Sequence, residues 1–288
     1  MKHFLLFFMF TAACAADSNT GLDPAPDPGG QQLATDTYKL QPGEEKYMCY
    51  QFESPADKVA VTHVQTISTL GIHHMVVYQN IGDHEADAPH ECGALIKTTW
   101  LPIFGNNTGS RELTLPTNTG FMVDAHTQYV LQLHLQNSGD KPLDIRAGVN
   151  FTYDHTPDSL TPAGMFAIGS FTVDIPPQTL DYQIPITNCA PNRPMNVFAV
   201  MPHMHKLGTQ LDVTHNGDPF YNINPWVFGN QPIDTLIQTI APTDTFNMTC
   251  HYDNHTDADV KYGESSDDEM CFFVMFYYPY TGLDGCIT

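Results

Sequence analysis

Short runs rich in β-branched, aliphatic and aromatic residues recur along the chain: KVAVTHVQTI, HHMVVYQ, QYVLQLHLQ, DIRAGVNFTY, MFAIGSFTVDI, MNVFAVMPHMH and MCFFVMFYY. Several alternate apolar with polar positions, the period of a strand with one buried face. Turn clusters such as GNNTGS, NSGD and HNGD separate them. No window of helical length carries a convincing apolar stripe. Many short strands with regular turn signals predict an all-β protein made of β-sandwiches. The polar, Pro-rich segment DHTPDSLTPAG, residues 154–164, bisects the chain and reads as a linker between two sandwich domains, 36–153 and 165–288. No repeat relates the halves.

Length agrees with this division, since 288 residues suit one or two domains at about 100–200 residues each. With 32 acidic against 11 basic residues the formal net charge is −21. Nucleic-acid partners are excluded, because no basic stripe exists to displace counterions from phosphates. The acidity suits solubility outside the cytoplasm.

Residues 1–35 read as an export signal followed by a flexible tether. One Lys precedes the apolar run Phe4 to Phe10, which is too short to span a bilayer, and a Pro/Gly/Asp-rich stretch follows. TAAC resembles a bacterial lipobox, which would make Cys14 a lipidated first residue and attach the protein to a membrane. Cleavage near Ala16 is the alternative. Either way the expected location is extracytoplasmic: secreted, periplasmic or lipid-anchored. Setting Cys14 aside leaves Cys49, Cys92, Cys189, Cys250, Cys271 and Cys286, an even number without a CxxC pair. Disulfides are the expected use, with the pairing left open by spacing alone.

Chemistry concentrates at histidines. In MPHMHKLG, His203 and His205 are two apart, so on a strand both rings face one side. The pair is a metal site or two histidines on a solvated face. His73 and His74, in GIHHMVVYQ, are adjacent and face opposite sides of a regular strand. They share one metal only if a bulge re-aims a ring or if different ring nitrogens coordinate. His134 lies in YVLQLHLQN. Met270, in SSDDEMCFFVMF, is either core packing or a soft ligand that selects Cu(I) over zinc or magnesium.

LGIHHMVVYQ, YVLQLH, FAVMPHMHKLG and SSDDEMCFFVMFYY occur in the order and approximate spacing found in the type II copper, ascorbate-dependent monooxygenases, and residues 36–288 resemble that family nearly throughout. The resemblance implies two tandem jelly-roll sandwiches and two mononuclear coppers per chain. It matches His73, His74 and His134 to an electron-transfer copper. His203, His205 and Met270 match the copper that binds O2 and faces substrate, with a solvent-filled cleft between the two. Ascorbate or a similar one-electron reductant is the implied co-substrate. Gln132 matches a position near the route between the sites, although an ordinary strand polar residue explains it equally well. The implied disulfides are Cys49–Cys92, Cys189–Cys286 and Cys250–Cys271; further family bridges lack partners here.

The family's peptide-hydroxylating members hold a terminal carboxylate with an Arg two residues before the HxH pair and an Asn and Tyr shortly after the Met ligand. The matching positions here are Met201, Phe272 and Val274. Burying a carboxylate without a clamp is costly, so the expected substrate is an apolar or aromatic small molecule and not a glycine-extended peptide. The leading expectation is an exported copper monooxygenase hydroxylating a C–H bond. The alternative is an extracytoplasmic copper-binding or storage protein without turnover, to which 12 methionines and 14 histidines give weight. A zinc hydrolase is disfavoured by the Met ligand and by the lack of an HExxH base. His63, His84, His126, His215 and His251 have no motif support.

Overall fold

The structure is a computed structural model, and it describes residues 22–93, 97, 99–107, 111–282 and 284–288. Cys14 and the signal-like segment lie outside the described residues. Those described form strands, joined by turns and a single 3-10 turn at Pro157–Ser159. No helix among them is long and apolar enough to cross a membrane.

Four larger sheets, two in each half, and two small two-stranded sheets make up the all-β architecture of the described residues. In the first half, Gln31–Ala34, Ala147–Asp154, Val59–Ser68 and Thr119–Val123 lie side by side in one sheet. His90–Glu91, Glu45–Glu53, Gln128–Gln136, Ile72–Asn80 and Trp100–Asn107 form the other. In the second half, Asp234–Ile240, Met195–His203, Cys271–Tyr278, Gly164–Ser170 and Asp284–Ile287 form one sheet. Thr179–Cys189, Phe246–Asn254, Gly208–His215 and Asp218–Ile223 form its companion.

The apolar pattern dictates these layers. In Phe246–Asn254, alternate residues Phe246, Met248, Cys250, Tyr252 and Asn254 are buried while those between reach toward solvent. Gln128–Gln136 is instead buried on both faces along nearly its whole length. Tyr129, Leu131, Leu133 and Leu135 enter the first sandwich core. Val130 belongs to a second cluster on the opposite face, with Tyr47, Cys49, Tyr78, Cys92 and Trp100. Phe198, Ala199 and Phe276 of the second half join the first core, so the halves meet through apolar side chains.

Two segments carry more structure than their composition suggests. The stretch read as a tether already contains the strand Gln31–Ala34, and the Gln32 side chain clasps the Leu22 backbone and Asn150. Within residues 154–164, Thr161–Pro162 pairs with the sheet edge at Thr119 and Gly120 before the chain enters the second half. The backbone N–H groups of Thr161 and Ala163 donate to the carbonyls of Asn118 and Gly120, which pins this segment to the sheet edge.

Disulfides Cys49–Cys92, Cys189–Cys286 and Cys250–Cys271 are formed, with Cα separations of 5.8, 5.6 and 6.0 Å. Three such bonds suit an oxidising, extracytoplasmic environment.

Candidate metal centre

Strand register gathers the first histidine set. His134 lies directly opposite His74 on one side and Tyr47 on the other. The pairing shifts between His134↔His74 and Leu135↔Ile72, which leaves His73 as the extra residue of a β-bulge. The bulge brings two adjacent histidines to one point. His73 Nδ1 lies 3.1 Å from His134 Nδ1 and 3.2 Å from His74 Nδ1. All three residues are buried and can offer ligand nitrogens within 4.8 Å of one another.

This geometry suits a metal ion. Two nitrogens each about 2.0 Å from a common tetrahedral ion sit about 3.3 Å apart. On its far edge, His134 Nε2–H donates to Glu45 Oε1 at 2.7 Å, so its Nδ1 is bare and points into the cluster. That is the carboxylate–histidine–metal arrangement. Tyr47 stacks on the His134 ring at 4.3 Å with an 8° interplanar angle.

His203 closes the strand Met195–His203, and His205 lies just beyond it. Met204, between them, turns into the second core. The two imidazoles stand 5.2 Å apart between centroids, nearly perpendicular. His203 Nδ1–H donates to Gln231 Oε1 at 2.9 Å, and His205 Nδ1–H donates to the Asp268 carbonyl at 3.1 Å. Both rings therefore keep Nε2 bare. His205 Nε2 is buried without a hydrogen-bond partner, as a ligand atom awaiting a metal would be. The donor chemistry fits the copper expected here.

Met270 is 1% exposed. Glu269 Oε2 accepts the backbone N–H of both His205 (2.9 Å) and Met270 (3.2 Å), while Oε1 accepts Leu207 N–H at 2.6 Å. Tyr252 donates its hydroxyl to the Met270 carbonyl at 2.6 Å. One carboxylate and one phenol thus hold the Met270 backbone beside His205.

The histidine sets are not separated by an open cleft. His73 and His205 lie 6.0 Å apart between centroids, and His74 and His203 lie 5.9 Å apart. Phe228 stacks on His73 at 4.4 Å, and Gln231 spans the gap, its Nε2 being 3.5 Å from His73 Nε2. The solvent-filled separation implied by the resemblance is corrected here. Apolar residues of the second half insert into the first core, and the two sets lie side by side, all but the half-buried His203 being buried.

Burial also fixes protonation. It is the largest influence on His73, His203 and His205, depressing them to about 2, 4 and 3, and it holds His74 well below the ordinary range. These rings are neutral at physiological pH, as ligands must be. Burial opposes ionisation of Glu45, yet the hydrogen bonds from His134 and Ser266 outweigh it and bring the carboxyl down to about 2. At Glu269 burial prevails over the backbone N–H groups, and the carboxyl rises to about 7.

Other expected positions are placed as follows. Gln132 is fully buried two pairs before His134, where it accepts from Tyr78 Oη at 3.4 Å and its Nε2 lies 3.9 Å from Cys92 Sγ. Phe272 is directly opposite His203, and Val274 directly opposite Met201, all on one sheet face. Met201 and Val274 pack against the first core. Phe272 leans over Gly169, where a Cβ would come within 2.1 Å of its ring, and toward Phe171. His215 Nε2 lies 2.9 Å from Asp244 and His251 Nδ1 lies 2.7 Å from Asp181, and neither ring is part of the two sets.

Sequence reasoning missed Glu45, Tyr47, Gln231 and Glu269. Glu45 and Tyr47 had a readable signal, since GEEKYMC places an acid and an aromatic on the same strand face as Cys49. Glu269 had a weaker one, an acid immediately before a buried Met.

An all-β frame brings two imidazole sets side by side, one linked through its backbone to a buried thioether residue, and such donors suit a transition-metal ion. Residues 161–288 match the family model for the copper type II ascorbate-dependent monooxygenase, C-terminal domain. The match falls on the half of the chain that carries His203, His205 and Met270. The chain is 26% identical over 280 residues to DBH-like monooxygenase protein 1 of Gallus gallus, and 24% identical over 295 residues to the Homo sapiens protein of that name. Each match covers 83% of this chain and 45% of the relative, so the chain spans about half the length of the curated relatives it matches. Among solved structures, N-glycanase F superposes with a TM-score of 0.41 at 11% identity, covering 88% of this chain and 97% of that one.

Proposed function

We propose that this protein is a copper monooxygenase that uses O2 and ascorbate, or a similar one-electron reductant, to hydroxylate a C–H bond of an apolar or aromatic small molecule. One observation carries the reading. Two chemically different donor sets sit within about 6 Å of each other, an arrangement suited to passing single electrons and superfluous for storage. His73, His74 and His134 would hold one copper through Nδ1; His203 and His205 through Nε2, with Met270, would hold the other. Copper in these sites supplies one-electron chemistry and O2 activation.

The chain's own residues prepare the compartment. Glu45 and Gln231 fix the tautomers of His134 and His203, and the Asp268 carbonyl fixes that of His205. Phe228 covers His73. Met201, Phe272 and Val274 share the face of His203 and offer apolar contact only. Lys206, the cation next to His205 in the chain, is already engaged with Asp267. A carboxylate-bearing peptide end would find no clamp there. The working location is extracytoplasmic, with lipid attachment through Cys14 part of the same proposal.

Burial of His73, His74, His134 and His205 gives copper holding without turnover its support. Oxygen uptake by the copper-loaded protein with ascorbate, screened across apolar compounds, separates the readings. Compound-dependent uptake with one oxygen atom from O2 in the product is expected. Copper that is bound and reduced, with uptake indifferent to every compound, would place storage first.

A further inference from the structure

We infer that Glu45 is a positioning residue through which the segment Glu264–Met270 sets the electronic state of the three-histidine site. Two strand neighbours of His134 and the segment itself supply the geometry. Glu45 Oε1 accepts His134 Nε2–H at 2.7 Å and also Ser266 N–H at 2.8 Å. Its Oε2 lies 3.4 Å from Ser266 Oγ and 3.5 Å from Ser265 Oγ, both able to donate. Tyr47, stacked on the His134 ring, donates its hydroxyl to the Glu264 carbonyl at 2.6 Å. Gln136, two residues past His134, donates to Ser266 Oγ. The segment therefore reaches His134 through its carboxylate partner, its stacked aromatic and its own strand.

The same segment continues into the second histidine set. The Asp268 carbonyl receives His205 Nδ1–H, and Glu269 receives the backbone N–H groups of His205 and Met270. One seven-residue stretch thus contacts both sets from within a single run of chain.

A carboxylate on Nε2–H strengthens the Nδ1 donor of the same ring, which favours the more highly charged state of a bound metal. Donors from Ser265 and Ser266 compete for that carboxylate and draw off part of its charge. With the segment docked, the Glu45–His134 bond pulls less on the imidazole, and reduction of copper there becomes easier. Loosening the segment restores the full pull and favours Cu(II). The site thus accepts an electron from its reductant most readily when the second set is seated beside it. A plain interface staple would hold the halves together without any such bias. The inference rests on the copper reading above.

Redox titration of the three-histidine copper, followed by its Cu(II) electron paramagnetic resonance signal in a His203→Ala background, tests it. Glu45→Gln should raise the Cu(I):Cu(II) ratio about tenfold at fixed ambient potential, or about 59 mV for a one-electron couple. Ser266→Ala should shift the ratio in the opposite direction. Unmoved potentials, or shifts of the same sign in both variants, would overturn the inference and leave a staple.

Imidazole nitrogen NMR of the copper-free protein supplies the second readout. His134 should carry its proton on Nε2, keep it there in Ser266→Ala and lose that preference in Glu45→Ala. A proton on Nδ1 in the parent would refute the role of Glu45. Failure to take up copper with the expected tautomers intact would count against the proposed function, while Glu45 would still stand as the residue that positions His134.

Discussion

Glu269→Gln tests whether a buried carboxyl sets the pH response of the second histidine set. Burial moves this group from the ordinary 4.5 to about 7. Between those values the folded protein retains a proton that the unfolded chain has released, so stability declines as pH rises through the window and levels off above about 7. At about 1.4 kcal/mol per pH unit, the decline is on the order of 3 kcal/mol in total. His73, His203 and His205 act in the opposite sense. Their folded values are depressed, so the unfolded chain binds the extra protons below 6.5, and stability falls as pH drops. Subtracting the variant's profile from the parent's removes the histidines and isolates Glu269. The amide also faces three backbone donors with a single carbonyl, and a buried N–H left unpaired costs about 1–3 kcal/mol. Glu269→Gln should therefore be clearly less stable than the parent at pH 5. The gap should narrow by about 2–3 kcal/mol at pH 8. Urea unfolding of copper-free, disulfide-intact protein, read by fluorescence of Trp226 in the second core, measures both. Parallel pH profiles for parent and variant would refute the reasoning.

The remaining predictions concern ligands and bridges. His203→Ala should lower copper content from two ions to one per chain while the three-histidine signal persists; loss of both ions from folded protein would sink the two-site assignment. Met270→Leu nearly preserves volume, so stability should change by less than about 1.5 kcal/mol. Cu(I) retention at one site and hydroxylation should nevertheless fall, and parental turnover would return Met270 to simple packing. Replacing Cys250 and Cys271 together with Ser should cost about 2–5 kcal/mol. It should also weaken copper retention at the second set, because Cys271 adjoins Met270; unchanged retention would separate the bridge from the site.

The all-β class was legible because alternation and turn residues act locally, as in Phe246–Asn254. The strand Gln128–Gln136 shows where local reading runs out: its continuous apolar run says that both faces are covered, but not by what. The histidines were legible as candidates through their spacing. Their convergence was not, since it depends on the bulge at His73, which appears only once Ile72–Asn80 is paired against its neighbour. Glu45, Gln231 and Glu269 were missed for a related reason. Each acts through a contact to residues distant in the chain, so the local hints at Glu45 and Glu269 did not reveal the partner, and Gln231 had no hint at all. The closeness of the two sets was likewise hidden, because it is decided by how Phe198, Ala199 and Phe276 seat against the first half.

The sharing of those side chains bears on how the protein is made. A ribosome releases the first sandwich before Phe198 and Phe276 emerge, so for a time its core lacks residues that complete it. During that interval apolar surface is open to wrong partners, including other nascent chains. The histidines of the first set emerge before their covering residues Phe228 and Gln231. A half-made molecule therefore presents exposed imidazoles without the neighbours that later enclose them. Assembly of the metal compartment is tied to completion of translation, and the order of synthesis delays its closure until both halves exist.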